Sequence, residues 1–155
     1  MTPGEALTHP WLTIRVQIVL GLLFVAAGLP KVVDPPSFAH MIYNYRIVPA
    51  SLVNLMALVM PWIELLSGMA LILGLWRRSA TALIAILLLV FIVAISINLA
   101  RGNVIDCGCF DVQAAGKSTA QRLAAMKFDI LRDLGMLVMA VQLWSGIRRQ
   151  EIHAG

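Results

Sequence analysis

The sequence predicts an all-α integral membrane protein, and three observations lead to a four-helix bundle. Apolar residues make up 60% of the 155 residues and charged residues 13%, whereas soluble domains have about 45–50% and about 25%. Four apolar segments are long enough to cross a bilayer of about 30 Å. The basic residues flank these segments singly or in pairs, which is typical of membrane proteins and does not indicate nucleic-acid binding.

The four predicted spans lie within a single membrane domain of residues 1–155. They cover residues 11–29, 50–76, 80–100 and 126–146. The first is predicted to end at Pro30, with Lys31 and Asp34 marking its exit to water. Small residues at 25–27 also resemble a signal-peptide cleavage site, but Glu5 and the long apolar run favour a retained helix.

Residues 37–48 mix aromatic, apolar and polar side chains and are too short to cross, so an interfacial helix or a re-entrant segment is expected. The second span places Glu64 near its middle. A carboxylate there costs about 2.5–3.5 kcal/mol, so it must be protonated or paired. Glu64 is a candidate proton-relay or quinone site; the alternative is a structural hydrogen bond to another helix.

The third span leads into a cysteine loop at residues 101–117. Ser118 and Gln121 have the spacing of a capping box, which predicts the start of the fourth helix. Asp129, Arg132 and Asp133 follow at helical spacing. They are candidate supporting charges for a catalytic site, or a structural cluster that fixes this helix against Lys31, Asp34 or Arg46.

Three tryptophans at helix ends predict which ends share a face of the membrane. Trp11, Trp76 and Trp144 each lie close to arginine, and an even number of crossings places all three on one face. That face has five Lys/Arg residues and the cysteine face has seven. Because cytoplasmic loops are enriched in Lys and Arg, a simple count would place the cysteines on the cytoplasmic side. The opposite orientation is favoured here, because a dithiol pair is most useful where disulfides persist, outside the inner membrane of a bacterium.

Cys107 and Cys109 are the only cysteines and are separated by Gly108. Positions i and i+2 of an extended chain lie about 6–7 Å apart, at the limit for a disulfide, but glycine permits a bend. Such a strained bridge would suit thiol-disulfide exchange. Arg101 is a candidate for stabilising a thiolate. Two alternatives are unreactive loop cysteines and a Cu(I) site of two thiolates.

The sequence resembles the methylamine utilisation protein MauE family, within the wider DoxX-like group, over residues 12–146. The most specific portion is Arg101-Gly102 followed by Asp106-Cys107-Gly108-Cys109-Phe110. Further matching positions are residues 21–25, 27–28, 31, 34–35, 38, 45–46, 49 and 98–100. The resemblance implies maturation of periplasmic proteins, notably the disulfide-rich small subunit of methylamine dehydrogenase, with a thioredoxin-like partner. It also implies a link to quinone-coupled sulfur chemistry.

These observations lead to one functional hypothesis. The protein is expected to be a thiol-disulfide redox protein of the bacterial inner membrane, with Cys107 and Cys109 as catalytic residues in a periplasmic loop. Its expected partners are the lipid bilayer, a periplasmic thioredoxin-like protein and a disulfide-bearing client. Quinone is the candidate cofactor, and no metal is assigned. The alternatives are a non-enzymatic assembly or transport subunit and a thiolate metal-handling protein.

Overall fold

The computed structural model describes residues 9–103 and 118–154, with side chains up to residue 152, and all regular structure in these ranges is helical. The helices are α1 (Pro10–Val33), α2 (Pro35–Tyr45), α3 (Ala50–Ile72), α4 (Arg77–Ala100) and α5 (Thr119–Ala154). Four of them, α1, α3, α4 and α5, are long and apolar enough to cross a membrane. The predicted all-α membrane bundle is confirmed.

The outside of the bundle is apolar because it faces lipid. Only a third of the apolar stretch of each of the four long helices is buried inside the protein. Large side chains such as Leu66, Ile86 and Val138 are exposed on the outer surface. In water such a continuous apolar surface would lead to association, whereas in a bilayer it is the surface that lipid chains cover.

Glycine ends both α3 and α4 in the same way. Gly74 and Gly102 each have φ +72°, a conformation that glycine adopts at no steric cost. After α4, Gly102 N–H donates to Leu99 O and Asn103 N–H to Asn98 O, the two bonds of a Schellman motif. The equivalent motif at Gly74 ends α3 at Ile72, although the sequence predicted a span to residue 76.

A single non-helical residue, Asp34, separates α1 from α2. α1 continues through Pro30 to Val33 and does not end at residue 29, so Pro30 lies in its last turn. The carboxylate of Asp34 accepts hydrogen bonds from Ser37 N–H (3.2 Å) and from the Ser37 hydroxyl (2.7 Å). This cap starts α2, a short helix that occupies most of the segment expected to be interfacial or re-entrant.

The predicted capping box at the start of α5 is confirmed. Ser118 Oγ accepts from Gln121 N–H at 3.3 Å, and Gln121 Oε1 accepts from Ser118 N–H at 2.9 Å. The 36 residues of α5 extend over about 54 Å. This length exceeds the hydrocarbon core of about 30 Å, so α5 projects beyond the membrane.

The bundle is built from two closely packed helix pairs, α1 with α3 and α4 with α5. Glycine sets the spacing of the first pair: a Cβ at Gly21 would lie 2.8 Å from the Gly68 carbonyl oxygen, and one at Gly68 would lie 2.8 Å from that of Gly21. Consecutive long helices are antiparallel. Asn103 and Ser118 therefore lie at the same end of the bundle, where α1 also ends.

Two of the tryptophans expected at the opposite end contact arginine. The Arg15 guanidinium lies 5.8 Å from the ring centroid of Trp11, and that of Arg78 lies 5.2 Å from Trp144. These cation-π contacts are made by exposed or half-buried side chains; Trp11, Arg15 and Arg78 lie near the starts of α1 and α4, whereas α5 continues ten residues beyond Trp144. They give this face the aromatic and basic character of a membrane-water interface.

Candidate functional site

The predicted catalytic residues Cys107 and Cys109 lie outside the described residues. The described chain stops at Asn103 after α4 and resumes at Ser118 before α5. Arg101, the proposed thiolate-stabilising residue, is the exposed C-cap of α4. It lies at the end of the bundle where the described chain stops, three residues before the cysteine-bearing range 104–117 begins, and its proposed role stays a prediction.

A buried ion pair joins α1 to α3 inside the bundle. Lys31 Nζ donates hydrogen bonds to Glu64 Oε1 at 2.9 Å and to Oε2 at 2.8 Å. The side chains are 2% and 1% exposed. The requirement that Glu64 be protonated or paired is therefore met by a cation from the neighbouring helix.

The expectation that Lys31 marks the exit of α1 to water is wrong, and helix geometry explains why. A helical side chain points toward the N-terminus of its helix, so Lys31, in the last turn of α1, extends back into the bundle. Gly28, one turn earlier, allows α3 to approach. A Cβ at that position would lie 3.3 Å from Glu64 Cβ. The pair could have been inferred from the sequence by one pattern: Lys31 lies one turn after Gly28 in one span, and Glu64 is a carboxylate in another span.

Two aromatic rings cover the Lys31 ammonium group. Its Nζ lies 5.1 Å from the ring centroid of Phe38 in α2 and 4.9 Å from that of Phe91 in α4. Both distances are within the range of a cation-π interaction, which is strongest where water is excluded. Lys31 therefore connects α1, α2, α3 and α4 at a single point.

The three predicted charges of α5 form a second group beside this pair. Arg132 donates from Nη2 to Asp133 Oδ1 at 2.9 Å and from Nη1 to Asp129 Oδ1 at 2.7 Å. Asp133 is 1% exposed, whereas the side chains of Arg132 and Asp129 are 20% and 15% exposed. The second oxygen of Asp133, Oδ2, is buried without a hydrogen-bond partner among the described residues.

A small cavity separates the two groups. Its volume is about 20 Å³, and its charged lining residues are Lys31, Glu64, Arg132 and Asp133. This space accommodates about one water molecule. It is much smaller than the cavities of about 300–1,000 Å³ that hold small organic ligands, and the role of Glu64 as a proton-relay or quinone site stays a prediction.

The candidate site residues that the structure describes thus lie in two separate regions of the bundle. Glu64, Asp129, Arg132 and Asp133, together with Lys31, form what we call the interior charge cluster. Arg101 lies at the bundle end. Arg132 and Asp133 of α5 line the same cavity as Lys31, and the choice between a structural and a supporting role for the α5 charges stays a prediction.

Comparisons with known proteins connect this architecture to a family. The family model described as methylamine utilisation protein MauE matches residues 9–146. A protein named methylamine utilization protein MauE from Methylorubrum extorquens is 39% identical over 105 residues, which are 67% of this chain and 56% of that protein. The protein of the same name from Paracoccus denitrificans is 38% identical over 108 residues, 69% of this chain and 58% of that protein.

A third MauE, from Methylophilus methylotrophus, is 31% identical over 133 residues, which are 85% of this chain and 67% of that protein. The chain thus spans little more than half the length of the first two relatives. No solved structure matches it. The match over nearly the whole chain, together with the four membrane-spanning helices, shows that this membrane protein belongs to the methylamine utilisation protein MauE family.

Proposed function

We propose that this protein is a membrane thiol-disulfide redox protein that assists disulfide formation in periplasmic proteins, through Cys107 and Cys109. The observation that carries the proposal is the position of the only two cysteines. A single glycine separates them, in the segment that joins α4 to α5 at one end of a membrane bundle. The names of its relatives support a client in methylamine utilisation, and the small subunit of methylamine dehydrogenase is the proposed type.

The proposed reaction is disulfide exchange. A thiolate of a thioredoxin-like partner attacks the Cys107–Cys109 bridge, which forms a mixed disulfide and releases one cysteine as a thiolate. The partner's second thiolate then attacks the mixed disulfide. The partner gains a disulfide, and Cys107 and Cys109 hold the two electrons as thiols. A membrane quinone reoxidises the pair, taking two electrons and two protons to become quinol.

The proposed quinone reaches the cysteine segment from the lipid. The interior cavity of about 20 Å³ beside Glu64 is too small to hold it. Glu64 is therefore assigned the role of partner to Lys31, which supports the bundle, and Arg101 remains the candidate for stabilising a cysteine thiolate.

We place the protein in the bacterial inner membrane with the cysteine segment on the periplasmic side. The main objection from the sequence was that seven Lys/Arg lie toward the cysteine end and five toward the other. Two of the seven, Lys31 and Arg132, are bound to carboxylates in the interior charge cluster. Five then remain at each end, so the charge count no longer opposes an orientation that disulfide chemistry favours.

Single cysteine variants test the proposal directly. Cys107→Ser or Cys109→Ser removes the thiol that resolves a mixed disulfide, so at least one of them should accumulate a covalent adduct with the partner on non-reducing gels. The Cys107→Ala/Cys109→Ala double variant is the matched control and should form none. Labelling of intact cells with a membrane-impermeant thiol reagent, before and after reduction, reports the side and the redox state of the pair.

The outcomes also distinguish the alternative functions. If neither single variant forms an adduct and the double variant supports maturation of the client, the redox proposal fails and a non-enzymatic assembly subunit is favoured. Stoichiometric copper in the purified wild-type protein, lost in the double variant, would instead indicate a thiolate metal site.

A further inference from the structure

The interior charge cluster is unbalanced. Among the described residues it contains three carboxylates, Glu64, Asp129 and Asp133, and two cations, Lys31 and Arg132. The Lys31 ammonium group binds both oxygens of Glu64, and the Arg132 guanidinium is shared by the two aspartates. With every group ionised, the cluster would hold one excess negative charge.

Burial makes that excess charge expensive. An ion without a counterion in a protein interior costs several kcal/mol or more, and such a site is usually neutralised by uptake of a proton. Asp133 is the position where the excess is least compensated, because Oδ2 has no hydrogen-bond partner among the described residues. Both oxygens of Glu64 accept from Lys31, and Asp129 is partly exposed.

We propose that Asp133 Oδ2 is a proton-binding site, and that the cavity beside it holds one water molecule that accepts the hydrogen bond from the protonated acid. The proton is taken up from solvent and forms one O–H bond, with no other bond changed. Lys31 from α1 and Glu64 from α3 face the site, Asp129 and Arg132 share its helix, and Leu88 and Phe91 of α4 close the cavity. The proposal does not depend on the cysteine chemistry.

Infrared spectroscopy of the purified full-length protein in detergent or lipid tests it. The wild-type protein at neutral pH should show the carbonyl stretch of one protonated carboxylic acid per chain, shifted by transfer to heavy water. Asp133→Asn should remove this band. Its persistence in that variant, or its absence from the wild-type spectrum, would overturn the proposal.

If the net charge of the whole cluster determines whether Asp133 is protonated, variants of the other charged residues should also change the infrared band. If only the immediate surroundings of Asp133 matter, they should not. Glu64→Met and Asp129→Asn each remove one negative charge, so each should abolish the band although Asp133 is intact. Lys31→Met should double its intensity, and the Lys31→Met/Glu64→Met double variant should restore the wild-type intensity. Glu151→Gln, which changes an exposed carboxylate outside the cluster, is the control and should leave the band unchanged. A band that survives in Glu64→Met and in Asp129→Asn would contradict the charge-balance argument.

Discussion

Removal of one partner from the Lys31–Glu64 pair should destabilise the bundle severely. Lys31→Met preserves the approximate length of the side chain but removes both hydrogen bonds to Glu64, which are 2.9 and 2.8 Å long. Hydrogen bonds to charged groups contribute about 1.5–3 kcal/mol each, and breaking a buried ion pair costs about 3–5 kcal/mol. We therefore expect a loss of about 3–5 kcal/mol in the free energy of unfolding, a decrease of more than about a hundredfold in the folding equilibrium constant.

The assay is equilibrium unfolding of the purified protein in mixed micelles with increasing dodecyl sulfate, followed by circular dichroism. Glu64→Met should cost less than Lys31→Met, because Asp133 can then ionise and balance the charge of Lys31 across the cavity. The Lys31→Met/Glu64→Met double variant should regain most of the Lys31→Met loss, because neither ion of the pair remains. The control is Arg78→Met, since the Arg78–Glu151 pair is about half exposed and should contribute at most about 1 kcal/mol. Additive losses in the double variant would refute the argument that Lys31 and Glu64 are buried as a pair.

Three smaller changes test the local structure by the same unfolding measurement. Gly21→Ala should lower the free energy of unfolding by about 1–3 kcal/mol, because the new methyl group meets the Gly68 carbonyl oxygen at 2.8 Å. Gly135→Ala is the control: a Cβ there has nothing within 4 Å, so the substitution should stabilise by up to about 1 kcal/mol. Equal effects of the two substitutions would contradict the argument from close packing. Gly102→Ala should cost about 1–2 kcal/mol, since φ is +72° there, and a neutral result would mean that α4 ends differently. Ser118→Ala should cost about 1 kcal/mol by removing the α5 cap, and helix content unchanged on heating would count against that cap.

The sequence was sufficient for the architecture because the bilayer imposes a simple rule. Each span needs about 20 apolar residues, and tryptophan with arginine marks several of the ends. The capping box at Ser118 could also be read directly, since it depends on residues three positions apart. Helix ends inside apolar runs were harder. Gly74 stops α3 within a continuous apolar stretch, where glycine is also common in the interior of membrane helices.

The interior charge cluster could be predicted only in part. Glu64 was expected to need a partner, and Asp129, Arg132 and Asp133 were expected to form a group because of their helical spacing. Which cation would pair with Glu64 depends on how closely α1 and α3 approach, and that distance is set by Gly21, Gly28 and Gly68 acting across two helices. The neighbouring sequence alone indicates that Lys31 is a surface residue, because the helix-ending sequence Asp34-Pro35-Pro36 follows it closely. Its burial is a property of the assembled bundle.

The pairing of the helices has a mechanical consequence. The seam between the α1–α3 pair and the α4–α5 pair passes through the cavity, with Lys31 and Glu64 on one side and Asp133 on the other. Movement of one pair relative to the other along this seam would therefore change the separation of Asp133 and Lys31 while leaving the close packing within each pair intact.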